Sequence, residues 1–142
     1  MTDKQIILIK NSWKIFRGIA PGLVGEVFYS RLFMMMPSLK SMFSNSMTDQ
    51  YKKLTDMLSF VVARLEKLDE VAAPAGELAI RHIQYGVKPD HYKLVGQALL
   101  WTLEKGLGKD WNDELKEAWT ACYTILADTM IAAAYGDNEK RA

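Results

Sequence analysis

Cysteine is nearly absent from this chain. Cys122 stands alone, so no disulfide can form within it, and a reducing compartment is compatible with that usage. Histidine is almost as scarce, with only His82 and His91, so no protein-only zinc site can be assembled from imidazoles. An excess of one charge is also missing. The 18 basic and 17 acidic residues leave a net charge of +1, and the basic residues are scattered among acids, which excludes the electrostatic footprint of a nucleic-acid binder. No apolar run approaches the length that spans a bilayer as a helix. The first residues, Met1-Thr2-Asp3-Lys4-Gln5, carry no signal-peptide pattern, so a cytoplasmic location is expected. Glycine-rich phosphate loops, paired zinc-ligand spacings and nucleophile elbows do not occur. Nor does any alternating strand pattern, internal repeat or low-complexity linker.

What is present is a normal globular balance over 142 residues, 49% hydrophobic and 25% charged, which predicts one folded domain, 1–142, with its core over about 3–135. The four prolines and nine glycines fall between segments of helical periodicity, so the chain reads as all-α. Thr2 or Asp3 is placed to cap a first helix through about residue 16, with Ile6, Ile9, Trp13 and Phe16 on one face. Pro21 suits the first turn of a second helix carrying Val24, Val27, Phe28, Leu32 and Phe33 inward, with Tyr29 beside them. Pro37 opens a short third piece, 37–43. A polar connection over 44–49 follows, with Thr48 as the expected cap. Leu54, Met57, Leu58, Val61, Val62, Leu65 and Leu68 then form what reads as one unbroken apolar stripe. Gln50 sits four residues before Leu54 on that stripe. Spacing alone leaves open whether its amide faces water at a helix start or a pocket.

Residues 72–75, interrupted by Pro74, lead into the most informative stretch, 77–92. Leu78 and His82 are four apart and share a helix face. Gly86 can take the left-handed conformation that ends a helix, Pro89 blocks its continuation, and Asp90 offers an oxygen to cap the next helix, which runs to about residue 107. An imidazole at a helix end beside an apolar residue is either a packed side chain or a ligand. One imidazole suffices for a haem, which brings four nitrogens of its own. A last helix starts near Asn112 or Asp113 and carries Ala118, Trp119, Cys122, Tyr123, Leu126, Met130 and Ala133. Cys122 on this stripe is expected to be buried and inert, and 136–142 to be a charged, frayed tail.

The order of these pieces resembles a globin. Phe28-Tyr29 followed by Pro37-Ser38-Leu39-Lys40-Ser41-Met42-Phe43 is similar to the second and third globin helices. Arg81-His82, then Tyr85-Gly86-Val87-Lys88-Pro89-Asp90-His91-Tyr92-Lys93-Leu94-Val95-Gly96, resembles bacterial single-domain haemoglobins and the haem domain of flavohaemoglobins, as does Ala118-Trp119 through Tyr123. The resemblance covers about residues 3–135. It implies haem b as cofactor and His82 as the iron ligand. Tyr29 and Gln50 are the implied distal hydrogen-bond donors, the second depending on the length of the corner after Phe43. Phe28, Phe43, Lys53, Leu54, Leu78, Val87, Tyr92 and Val95 complete the implied cofactor-binding set, while His91 falls away from the iron as a surface residue.

The implied function is reversible dioxygen binding for transport or storage, with nitric oxide and carbon monoxide as further gas ligands. Nitric oxide dioxygenase working with an external reductase, and haem-based gas sensing, are the alternatives. A helical bundle without haem is a further one. Nucleic acid and membrane are not expected partners. One departure stands out. Flavohaemoglobins support the proximal histidine with a tyrosine and a glutamate. Tyr92 matches the tyrosine, but the glutamate position falls near Ala134, with no acid nearby. A carboxylate there strengthens an imidazole as a donor to iron, so its absence favours reversible binding over oxygen activation. The chain also ends after one globin length, so no reductase domain is expected and turnover would draw on an outside electron donor.

Overall fold

A computed structural model describes residues 1–19, 21–43, 47–84 and 86–141, without the side chains at 21, 83, 84 and 136–141. Ser44, Asn45 and Ser46 of the predicted connection, and Tyr85, lie outside the described residues. The described residues form α1 (Asp3–Phe16), α2 (Pro21–Met35), a 3₁₀ piece (Pro37–Met42), α3 (Met47–Ala63), α4 (Asp69–Gln84), α5 (Pro89–Leu107), a 3₁₀ turn (Gly108–Asp110) and α6 (Asp113–Arg141). There is no strand among them.

Helix α1 starts where its sequence says it should. Thr2 Oγ1 accepts from the Gln5 N–H at 3.1 Å, and Gln5 Oε1 accepts from the Thr2 N–H at 3.0 Å. This reciprocal cap satisfies two amides that the first turn leaves without partners. Ile6, Ile9, Trp13 and Phe16 are all buried. Two indole donors then fasten α1 to its neighbours. Trp119 Nε1 of α6 donates to Ser12 Oγ at 3.0 Å, and Trp13 Nε1 donates to Ser59 Oγ of α3 at 3.1 Å. Helix α2 lies against α3 on one side and α5 on the other, and α4 lies along α6. Ala75 and Ala79 are fully buried on α4. Between them, a Cβ on Gly76 would lie 3.3 Å from the Ala133 Cβ of α6, so the two helices come close there.

Four predicted boundaries are corrected. The stripe from Leu54 to Leu68 is not one helix, because α3 ends at Ala63; Leu65 is buried and Leu68 half-buried beyond that end. Apolar spacing continued while the backbone turned. Thr48 is not a cap, since α3 begins one residue earlier at Met47, and a cap must stand outside the helix. Pro74 does not interrupt α4, which starts at Asp69 and runs through it. Near a helix start a proline removes a single i→i−4 bond, and α6 holds the helix together across it. Asp90 lies within α5, whose cap residue is Lys88 with Pro89 at the first helical position. In addition, α6 extends to Arg141 instead of ending at a tail. Glu139, Lys140 and Arg141 favour helix, and Gly136 costs it only about 1 kcal/mol.

Candidate functional site

The histidine end of α4 is built as its sequence suggests. Gly86 has φ +89°, the left-handed conformation that closes a helix without a Cβ penalty. The chain then turns back, and the Val87 N–H donates to the His82 carbonyl at 3.0 Å. The Val87 carbonyl in turn accepts from the Tyr135 hydroxyl of α6. Val87 is thus held on both sides, by the histidine's own backbone and by a helix 48 residues further along. The His82 side chain is half-buried, and its ring centroid lies 6.4 Å from that of Tyr92 at an interplanar angle of 71°. Burial, and then the Arg81 guanidinium, hold its pKa below the ordinary histidine value. A neutral imidazole is the form that ligates metal.

Behind His82 sits Tyr92, 7% exposed. Its backbone carbonyl accepts from the Tyr123 hydroxyl at 2.6 Å. Its own hydroxyl is buried and finds no hydrogen-bond partner among the described residues. Burial, with the Tyr135 phenol adding, pushes the Tyr92 pKa up to about 12. The residue beside Ala134 is a second phenol, Tyr135, whose hydroxyl donates to the Val87 carbonyl. His91 corrects the expectation of a surface residue. It is 7% exposed, and its Nδ1 accepts from the Lys88 N–H at 3.0 Å, so it closes the start of α5. A histidine three residues past a helix cap can reach back to that amide as glutamate or glutamine does.

The predicted distal residues gather around Tyr29, which is 8% exposed. Its ring is fenced on several sides. Phe28 meets it edge-on at 4.9 Å between centroids, and Phe43 does so at 5.3 Å. Phe33 lies at 5.9 Å, and Tyr51 stacks at 5.8 Å with 29° between planes. Burial, then the Tyr51 phenol, raises the Tyr29 pKa to about 12, so its hydroxyl stays a proton donor at neutral pH. Gln50 is half-buried early in α3, and Lys53 is exposed one turn on. Leu54, Leu78, Val87, Val95 and Phe43 are all half-buried and packed on the edge of the core. No cluster of three or more His, Cys, Asp or Glu that could hold a metal ion by themselves occurs among the described residues.

The structure therefore assembles the predicted residues into two groups: His82, Val87 and Tyr92 at the end of α4, and Phe28, Tyr29 and Phe43 between α2 and α3. Sequence reasoning missed Tyr51 and Tyr135. The only signal for either was adjacency, to Gln50 and to Ala134. Two small apolar cavities, about 30 and 10 Å³, share Val61, Cys122 and Leu126 and lie away from both groups. Cys122 is buried there with its thiol pushed up to about 11 by burial, as an inert core cysteine.

Comparison with known proteins bears on the fold and the family. The family model described as Globin matches residues 26–130. The flavohemoprotein of Oceanobacillus iheyensis is 29% identical over 141 residues, covering 93% of this chain but 35% of its own length. A leghemoglobin of Canavalia lineata is 31% identical over 142 residues, covering 93% of this chain and 95% of that one. The solved structure of a bacterial globin from Campylobacter jejuni superposes with a TM-score of 0.82 at 26% identity, covering 97% of this chain and 99% of that chain. Helix order, the α4-end histidine with its aromatic neighbours, and these matches together place the chain in the globin family, with haem as its cofactor.

Proposed function

We propose that the chain holds one haem b through His82 and binds dioxygen reversibly on the side of Tyr29 and Gln50. The observation that carries this reading is the Tyr29 phenol, buried and fenced by aromatic rings yet kept protonated. A donor held dry in an apolar surround suits a polar diatomic ligand. The remaining residues fit a flat, largely apolar cofactor. Phe43, Leu54, Leu78, Val87 and Val95 are half-buried in protein alone, which suits side chains that wall such a group. Exposed Lys53 is suited to a carboxylate at its rim. His82 is a neutral imidazole at a helix end fixed by Gly86 and Val87.

Haem iron, when bound, supplies the centre that takes dioxygen, carbon monoxide or nitric oxide. The chain's own residues decide how well each is kept. The Tyr29 hydroxyl and the Gln50 amide donate to the outer atom of a polarised ligand. Each such bond is worth about 1 kcal/mol net. Since 1.4 kcal/mol is a factor of ten, losing one should speed release by about fivefold to tenfold. On the other side the group that acts electrostatically on Tyr92 is a phenol, Tyr135, instead of a carboxylate. A neutral partner leaves the imidazole a weaker donor than a carboxylate partner would, and this favours reversible binding over oxygen activation. Nitric oxide dioxygenase is the second reading, motivated by the flavohemoprotein relatives. It requires sustained turnover with a separate reductase, because any oxygenated globin reacts with nitric oxide once.

The test is twofold. His82→Ala should abolish stable haem binding, and stoichiometric haem with an unchanged ferrous spectrum would defeat the assignment. Tyr29→Phe should release dioxygen about fivefold to tenfold faster in stopped flow; an unaltered off-rate would show that this hydroxyl points elsewhere.

A further inference from the structure

We infer that Tyr51 is a positioning residue of the distal side: seated against the backbone of α2 at Gly25, it holds the Tyr29 ring and sets the heading of Gln50. Two independent observations carry this. The first is the seat. A Cβ built on Gly25 would lie 2.3 Å from both Cβ and Cγ of Tyr51 and 2.5 Å from its Cδ1, distances no real side chain tolerates. The Tyr51 side chain therefore occupies the volume that any other residue at position 25 would claim. Gly25 is four residues before Tyr29, so the two share one face of α2. Tyr51 fills the place directly beneath the Tyr29 ring.

The second observation is the fence. Phe28 and Phe33 stand on α2 itself, and Phe43 follows the 3₁₀ piece. Among the described ring contacts of Tyr29, only Tyr51 comes from α3. It is also the ring closest to parallel with Tyr29, at 29° against 36° for Phe33, so it lies as a plate from α3 where Phe33 does so from α2 itself. A phenol keeps its oxygen in place when the ring flips about its own axis. Only a change at χ1 carries the hydroxyl away, and a plate against the ring face opposes that swing. Tyr51 also acts on the site in a second way. Successive helical residues point about 100° apart, so pinning Tyr51 on α2 fixes where neighbouring Gln50 is aimed. One packing contact thereby registers two donors on two helices.

The inference rests on the reading that Tyr29 donates to the ligand, and the experiments separate the two. In the carbon monoxide complex, Tyr51→Phe should keep the wild-type C–O stretching band and dioxygen off-rate, because the ring is retained. Tyr51→Ala should split or shift the band and raise the off-rate at least threefold. In the Tyr29→Phe background, the same Tyr51→Ala change should add only the smaller part that acts through Gln50, and in a Tyr29→Phe, Gln50→Leu chain it should add nothing. A wild-type band and off-rate in Tyr51→Ala, or an equal further increase on top of Tyr29→Phe, would overturn the inference. Apoprotein supplies a readout free of haem. Gly25→Ala should lower the urea midpoint strongly, and it should lower it far less in a Tyr51→Gly chain, where neither Cβ nor ring stands in the way; equal losses in the two chains would overturn the seat. If Tyr29→Phe alone leaves the off-rate unchanged while Gly25 and Tyr51 still couple, the donor reading fails and the seat stands. Tyr51→Leu serves as a second truncation, keeping bulk against Gly25 while removing the plate; it should move the band as Tyr51→Ala does.

Discussion

At the scale of single residues, chemistry follows environment more than identity. Tyr29 is an ordinary tyrosine made into a persistent donor by burial, with Tyr51 adding to the effect. Its pKa is raised to about 12 from 10.0, and a raised tyrosine pKa favours the neutral, donating form. The sign follows: the hydroxyl keeps its proton as pH rises through the range where a free tyrosine would lose it. The dioxygen off-rate should therefore stay flat from about pH 7 to 10, against the usual tyrosine value near 10. A rise centred near the ordinary value would show that Tyr29 is more open to water than its burial indicates. His82, Tyr29 and Phe43 were legible in the sequence as members of a motif. His91 was not legible as a buried residue. Charged Asp90 and Lys93 stand one and two positions away, and the return of its ring to the Lys88 amide is a contact that only the structure shows.

At the scale of elements, the decisive piece is the short link between α4 and α5. Gly86 stops one helix and Pro89 starts the next, and both were readable from residue type. What holds the link in place is the Tyr135 hydroxyl on the Val87 carbonyl, which no local pattern announces. Tyr135→Phe should cost about 1 kcal/mol, the usual net worth of such a bond. It should also speed haem loss, because the His82 carbonyl is tied to the same Val87 residue. Measuring haem transfer to an acceptor apoglobin tests this; a wild-type rate would show that the link is held without α6. Pro74 makes the complementary point. A proline inside a helical pattern reads as a break, yet α4 continues through it, packed against α6. Tertiary packing outweighs a local preference of a few kcal/mol.

At the scale of the molecule, α6 is the common partner, lying against α1, α4 and α5. Trp119 in its second turn is 1% exposed and donates to Ser12. Trp119→Ala should destabilise the fold by about 3–5 kcal/mol through the cavity it leaves, read as a lower denaturant midpoint at unchanged slope. A loss under about 1 kcal/mol would mean that the three helices repack freely around the gap. None of the described helices is long and apolar enough to cross a membrane.

The sequence by itself determined the helices and most of their ends, because caps, glycines, prolines and apolar spacing act within a few residues. It also determined the candidate iron ligand, since a lone histidine between recognisable stops needs no distant partner to be noticed. Tertiary structure alone decided which side chains flank that histidine and its opposite tyrosine. Tyr51 reaches Tyr29 only because Gly25 lets α3 settle on α2, and Tyr135 reaches Val87 only because α6 folds back along α4. Contacts between residues tens of positions apart depend on how whole helices pack, and packing is a property of shape in three dimensions that no local run of residues encodes.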